Sequence, residues 1–299
     1  MKKLRRFLIS IFIIGVVAIA GHIYYISTLA PTEIYPEDSY LLTAPDKKAL
    51  IIVAHDDDMA TTAGTITLLC RNGWDIREMC FYQQGGLYFK KDSAKNPVRK
   101  QSLQHAVGIQ GLQGADPIDF NFRNDMQTAK AYMPMPYSSF PVNYKLDSLT
   151  ALIAAYIEKH KPSVIFTLDN IIGGYGNPDH VMMSQRVMDY CRRHKNDSGF
   201  SVKKIYQPVF PPSQSDRVLT KMPVYNEAKK VYHCDGMPIP DVQFRYGEYS
   251  KEKKQVMQAY ITEQNSFKQI CPYYNWYPHW IYFKIFDRDF FKIIDVSSL

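Results

Sequence analysis

The hydrophobic pattern of the chain begins with one long apolar run and then breaks into short ones. In "MKKLRRFLISIFIIGVVAIAGHIYYIS", Lys2, Lys3, Arg5 and Arg6 precede a stretch from Phe7 to Ile26 that holds no Asp, Glu, Lys or Arg. A run of about 20 such residues is long enough to cross a bilayer as a helix. The spacing therefore predicts an N-terminal transmembrane helix within residues 1–29. The basic flank before it, and Glu33, Glu37 and Asp38 after it, orient its start towards the cytoplasm. Ala18-Ile19-Ala20 is an A-x-A pattern, so a cleaved signal segment is the rival reading. Because the apolar run continues past that point, an uncleaved single-pass anchor is favoured, with the remaining chain extracytoplasmic. Cleavage would instead leave a secreted or periplasmic protein.

Past a polar, proline-bearing tether over residues 30–47, strand-length and helix-length patterns alternate. "ALIIVA" (49–54) is a continuous apolar run ending in the loop "HDDDM", and a helical pattern with Ile66, Leu69 and Cys70 follows, stopping at Asn72-Gly73. "DIREMCFY" (75–82) reads as a second strand, "NPVRKQSLQHAVGIQG" as a helix opened near Pro97, and "IDFNF" (118–122) as a third strand. "SLTALIAAYIEKHKP" places Leu149, Leu152, Ile153, Tyr156 and Ile157 on one helical stripe, and "SVIFTLD" (163–169) is another buried strand. Strands alternating with helices predict an α/β fold, a mostly parallel Rossmann-like sheet with helices on both faces, over residues 48–299. Two segments depart from this rhythm. "MQTAKAYMPMPYSSFPVNYK" reads as a long loop. The aromatic extension from Pro272, "PYYNWYPHWIYFKIFDRDFFKII", reads as a terminal element packed on the core, with a membrane-surface or sugar-stacking role as the alternative.

Composition narrows the function classes. With 299 residues, 46% of them hydrophobic, the chain can bury a sizeable core. The net charge of +7 draws on the four cations before the apolar run, and no dense basic stripe interleaves with aromatics, so nucleic acid is not an expected partner. The five cysteines, Cys70, Cys80, Cys191, Cys234 and Cys271, form no C-x-x-C pair; core packing is expected of them rather than a disulfide framework or a cysteine zinc site.

The chemistry concentrates in two loops at predicted strand ends, where open α/β sheets gather ligands. "AHDDDMA" follows "ALIIVA", and "NIIGGYGNPDH" follows "SVIFTLD". If the two strands are neighbours, His55, His180 and one or two of Asp56, Asp57 and Asp58 converge. Two histidines and a carboxylate with open positions describe a catalytic zinc site, and non-haem iron(II) uses the same ligands. Spacing does not choose among the three aspartates.

These residues resemble the LmbE-like, or PIG-L-type, zinc deacetylases that remove acetyl groups from N-acetylglucosaminyl conjugates. The family's A-H-P-D-D-E motif is matched at Ala54, His55, Asp57 and Asp58, and its G-G-Y-G-H-P-D-H motif at every position but Asn177. Gly64, Gly73 and Arg99 also fit, and the resemblance covers roughly residues 48–265. It implies that His55, Asp58 and His180 hold Zn2+ (or Fe2+) and that Asp57 is the general base. Tyr175 would face the reacting carbonyl, and Asp179 would orient catalytic groups. Arg99 and Asp125 would contact an amino-sugar substrate.

The chain departs from the family pattern in five places. Asp56 replaces Pro, Met59 replaces Glu, and Asn177 stands where a His is credited with assisting proton transfer. Gln101 or Ser102 stands near Arg99 in place of Glu, and Ile261 replaces a His in "AYITEQ". The expected function is a membrane-anchored, metal-dependent N-deacetylase; the alternative is a catalytically impaired metal- and carbohydrate-binding descendant. A HAD-type aspartyl phosphatase, suggested by Asp56-x-Asp58, lacks the later Gly-Asp magnesium motif.

Overall fold

The structure, a computed structural model, describes residues 2–81, 94–124 and 133–299. Asp125, expected to contact substrate, lies outside the described residues.

Seven strands form one sheet among these residues, in the order β3-β2-β1-β4-β5-β7-β6. Strands β1 (Lys48–Ile52), β2 (Asp75–Phe81), β3 (Gly114–Ile118), β4 (Val164–Phe166) and β5 (Lys204–Pro208) run parallel. Strands β6 (Val242–Arg245) and β7 (Arg288–Asp295) complete the sheet in antiparallel fashion. Central strand β1 is covered on both faces: Ala49, Leu50, Ile51 and Ile52 are all buried, which is why this strand reads as an unbroken apolar run. Helices Ala63–Arg71, Asn96–Gln110 and Ser250–Ala259 pack together in one layer, and helices Leu146–His160 and Pro178–His194 in another.

Two features differ from the expected pattern, the bounds of β3 and the placement of residues 30–47. The third strand is Gly114–Ile118 rather than 118–122. Its edge position tolerates Pro117, whose missing N–H would break an interior ladder. Phe122 leaves the sheet to pack edge-on against Phe81, its ring centroid 5.2 Å away. The stretch 30–47 lies against the domain: Leu41 is buried, and Asp38 accepts a hydrogen bond from the Tyr206 hydroxyl at 2.6 Å. The aromatic extension supplies β7, which sits inside the sheet between β5 and β6, and the short helix His279–Ile285. All five cysteines are free.

Helix Lys2–Ser27 is long and apolar enough to cross a membrane, and its apolar window is not buried by the rest of the chain. Its last turn does touch the domain. Ile26 is buried, and His22 Nδ1 lies 2.6 Å from the Tyr277 hydroxyl, among the rings of Tyr273 and Trp276.

Helix Ala63–Arg71, which follows the loop after β1, packs closely on Tyr246 at Gly64. A Cβ there would fall 2.5 Å from Tyr246 Cγ, inside the ring's contact shell. Gly64→Ala is expected to destabilise the fold by about 1–3 kcal/mol through overpacking. A denaturant midpoint unchanged from wild type would contradict that contact.

Candidate active site

Counting along the chain, β1 leads to β2 and β3 on one side, whereas β4 lies on the other, so the strand order reverses between β1 and β4. Such a switch point leaves a crevice at the carboxyl ends of the two strands. Both motif loops descend into it.

After β1 the chain curls in a tight turn. The His55 backbone N–H donates to Asp58 Oδ2 at 2.9 Å, and the Ala60 N–H donates to the Asp57 carbonyl at 3.0 Å. This brings the His55 and Asp58 side chains together. After β4, buried Asp169 accepts hydrogen bonds from the backbone N–H groups of Ile171 (3.0 Å), Ile172 (2.7 Å) and Gly174 (2.5 Å). Gly173 has φ 64°, and a Cβ on it would lie 2.9 Å from His180 Cβ, so only glycine admits the next helix this close. Asn177 caps that helix by accepting from the Asp179 N–H at 3.0 Å, and Pro178 begins it. The first turn then presents Asp179 and His180.

Three ligand-type atoms meet there. His55 Nδ1 is 3.1 Å from His180 Nε2 and 3.3 Å from Asp58 Oδ1, and His180 Nε2 is 3.0 Å from Asp58 Oδ1. The outward nitrogens decide the tautomers. His180 Nδ1 faces the Gly173 carbonyl at 3.0 Å, and His55 Nε2 faces Asp179 Oδ2 at 3.2 Å. Both partners can only accept, so each outward nitrogen carries the proton, and in a neutral ring the inward one offers a lone pair. Such a set fits a divalent cation: the spacings match the edges of a coordination shell with bonds of about 2.0–2.2 Å.

The surrounding charge also calls for a cation. Burial alone would lower the His55 pKa, but Asp58 and Asp179 outweigh it and push it up to about 10. Burial opposes ionisation of Asp58, yet His180 and His55 hold its carboxyl well below the usual range. Asp179 is likewise kept ionised against its burial, by Arg123 and His55. Arg123 Nε donates to Asp179 Oδ1 at 2.9 Å, its Nη2 donates to Oδ2, and the Tyr144 hydroxyl donates to Oδ1 at 2.8 Å.

Asp57 stands beside this face. Arg99 Nη2 donates to Asp57 Oδ1 at 2.8 Å and also to Asp56, while its Nη1 pairs with Glu263. Burial raises the Asp57 pKa; Arg99 opposes the rise, and Asp58 and Glu263 add to it. Burial pushes Asp56 up to about 7, with Arg99 opposing and Asp57 adding. Tyr175 is half-buried, its ring set edge-on to His180 with centroids 5.6 Å apart. Burial, followed by Asp57 and Asp58, raises its pKa and keeps the hydroxyl a neutral donor.

The structure thus brings His55, Asp57, Asp58, Tyr175, Asp179 and His180 to one crevice. Arg99 is there too, but it is only 4% exposed and its guanidinium is engaged by three carboxylates. Sequence reasoning did not find Arg123, Tyr144, Asp169 or Glu263. Glu263 lies within the noted "AYITEQ" stretch, and Asp169 ends a noted strand; Arg123 and Tyr144 carry no local signal.

An α/β protein with a His-Asp-His face at the switch point of its sheet is the class that fold and site define. The family described as "PIG-L: GlcNAc-PI de-N-acetylase" matches residues 50–191, so the chain carries a domain of that LmbE-like family there. It is 31% identical over 157 residues, 46% of this chain and 51% of the relative, to the 1D-myo-inositol 2-acetamido-2-deoxy-alpha-D-glucopyranoside deacetylase of Rhodococcus jostii. The enzyme of that name from Rhodococcus opacus is 30% identical over 155 residues, 46% of this chain and 50% of the relative. The chain spans about half the length of the curated relatives it matches.

Among solved structures, the deacetylase of the A40926 pseudoaglycone matches with TM-score 0.52 and 13% identity, over 84% of this chain and 98% of that one. The zinc-inhibited form of teicoplanin deacetylase matches with TM-score 0.52 and 10% identity, over 83% and 98%. The 4-carboxy-2-hydroxymuconate hydratase of Pseudomonas putida matches with TM-score 0.50 and 16% identity, over 83% and 96%. At such identities the likeness is one of fold, and a fold hosts more than one chemistry.

Because Asp179 sets the His55 tautomer, Asp179→Asn is expected to weaken divalent-metal binding about 10- to 100-fold. Competition with a chromogenic chelator measures this. Unchanged affinity would remove Asp179 from that role.

Proposed function

We propose that this protein is a metal-dependent amide hydrolase that removes an N-acyl group, acetyl in the simplest case, from an amino-sugar substrate. The observation that carries the reading is the convergence of two imidazole nitrogens and a carboxylate oxygen beside a second carboxylate, Asp57, in an open crevice. A divalent ion held by His55, Asp58 and His180, Zn2+ or Fe2+, would supply Lewis acidity to a water and to the amide carbonyl.

The chain's own residues supply the rest. Asp57 takes the proton of the attacking water and returns it to the departing nitrogen; a C–O bond forms, the C–N bond breaks, and acetate and a free amine leave. Burial raises the Asp57 pKa towards the range in which a carboxylate can both accept and donate. Arg99 holds Asp57 in place and limits that rise, so its part is positioning rather than sugar contact. The neutral Tyr175 hydroxyl donates to the oxygen that becomes negative. Asn177 acts as a helix cap.

The membrane assignment is part of the same proposal. Helix Lys2–Ser27 would anchor the chain with Lys2, Lys3, Arg5 and Arg6 on the cytoplasmic side. Exposed Trp276 and Trp280 support this, because the Trp276 ring lies 5.2 Å from that of His22 near the end of that helix, and indole rings favour the headgroup level.

Asp57→Asn is expected to retain the metal and to lose about 10²- to 10⁴-fold in kcat on N-acetylglucosaminyl substrates, followed by free-amine release. Wild-type turnover by that variant would sink the base assignment. Tyr175→Phe is expected to cost about 10²- to 10³-fold in kcat with KM little changed. Retention of the full-length protein in membranes through alkaline carbonate extraction tests the anchor, and full release would contradict it.

A further inference from the structure

The crevice does not end at the metal face. A cleft with a cavity volume of about 110 Å³ is lined by Asp57, Tyr175 and His180 and continues under the antiparallel side of the sheet. Its walls there are Phe210 after β5, Phe290 on β7, Phe267 and Ile270 of helix Gln264–Ile270, and Phe283 and Phe286 from the aromatic extension. Phe267, Phe283 and Phe290 are themselves buried, so the chamber is built into the core rather than laid on the surface.

A sugar is the wrong occupant for these walls. Its hydroxyls would lose water without finding partners on the rings, which costs free energy for each group. An acetyl methyl is far too small to fill the space. The charges in the lining are already met: Lys253 pairs with Asp289, which also accepts from the Thr65 hydroxyl at 2.7 Å, and Arg288 Nε pairs with Asp287 Oδ1 at 3.0 Å. A phosphate or carboxylate therefore finds no free cation among these groups. Tyr282, buried in the same wall, leaves its hydroxyl without a partner among the described residues. Pro31, just past the end of helix Lys2–Ser27, is also part of the lining.

We propose that this chamber holds a hydrocarbon chain carried by the substrate, so that the amide cleaved belongs to an amphiphile rather than to a bare N-acetyl sugar. The inference rests on the amide-hydrolase reading of the adjoining site. The chain has two chemical sources, the N-acyl group itself or an alkyl aglycone, and one experiment separates them.

Full-length protein reconstituted in phosphatidylcholine nanodiscs, free of alkyl detergent, is assayed for amine release. One series runs from N-acetyl- to N-octanoyl-glucosamine, and the other from methyl to octyl glycosides of N-acetylglucosamine. KM is expected to fall about three- to fourfold per added methylene in one of the two series until the chamber is full. The series that responds identifies the source. Ile270→Trp is expected to shorten the chain length at which the trend stops; should that variant not fold, the wild-type series decides alone. KM independent of chain length in both series overturns the proposal. If no substrate turns over, equilibrium binding of the same compounds is measured instead. Affinity that rises with chain length then keeps the chamber and removes the hydrolase, and affinity indifferent to length removes both.

Discussion

Two imidazole nitrogens and a carboxylate oxygen held within 3.3 Å of one another need positive charge between them, and much of the local structure follows from that need. Each ring is committed from behind. His180 is tied to the Gly173 carbonyl, which requires a left-handed glycine and a helix start too close for any Cβ. His55 is tied to Asp179, whose carboxylate is steadied by Arg123 and Tyr144. These outward bonds orient the inward faces before any ion binds, so little reorganisation is left to oppose binding.

The run of three aspartates becomes intelligible from the same geometry. Adjacent carboxylates repel, and a buried set persists only where cationic or hydrogen-bonding partners offset the charge. Asp58 turns to the histidines. Asp57 and Asp56 share Arg99, which Glu263 reaches from the opposite end of the guanidinium. Asp56 gives Arg99 a second carboxylate. That steadies the guanidinium and leaves Asp57 only partly neutralised, which suits the proton-transfer role proposed for it.

Much of the fold was legible because β1, β2 and β4 are buried on both faces and read as apolar runs, with helical stripes between them. The site was legible because motif residues sit beside one another in the sequence, at two strand ends. What escaped was long-range. Strands β5, β6 and β7 are joined by antiparallel pairing across distant segments, which leaves no periodic signature separating them from loop. Phe120 and Phe122 alternate like a strand, yet the ladder ends at Ile118, because Phe122 is drawn into a cluster with Phe81 and Tyr144. Arg123 and Tyr144 are isolated in the sequence, and only folding brings them to Asp179. The density of rings after Pro272 was visible, but not its division into a collar around His22, a sheet strand and a chamber wall.

The central claim is that the His55, Asp58 and His180 face exists to hold a divalent ion. X-ray absorption at the metal edge, on full-length protein loaded with one equivalent of Zn2+ and again with Fe2+, tests it most directly. The account predicts one tightly held ion per chain with two imidazole scattering paths and oxygen ligands, reduced to one imidazole path in His180→Ala. An ion that fails to bind, or one whose spectrum shows no imidazole, would contradict it.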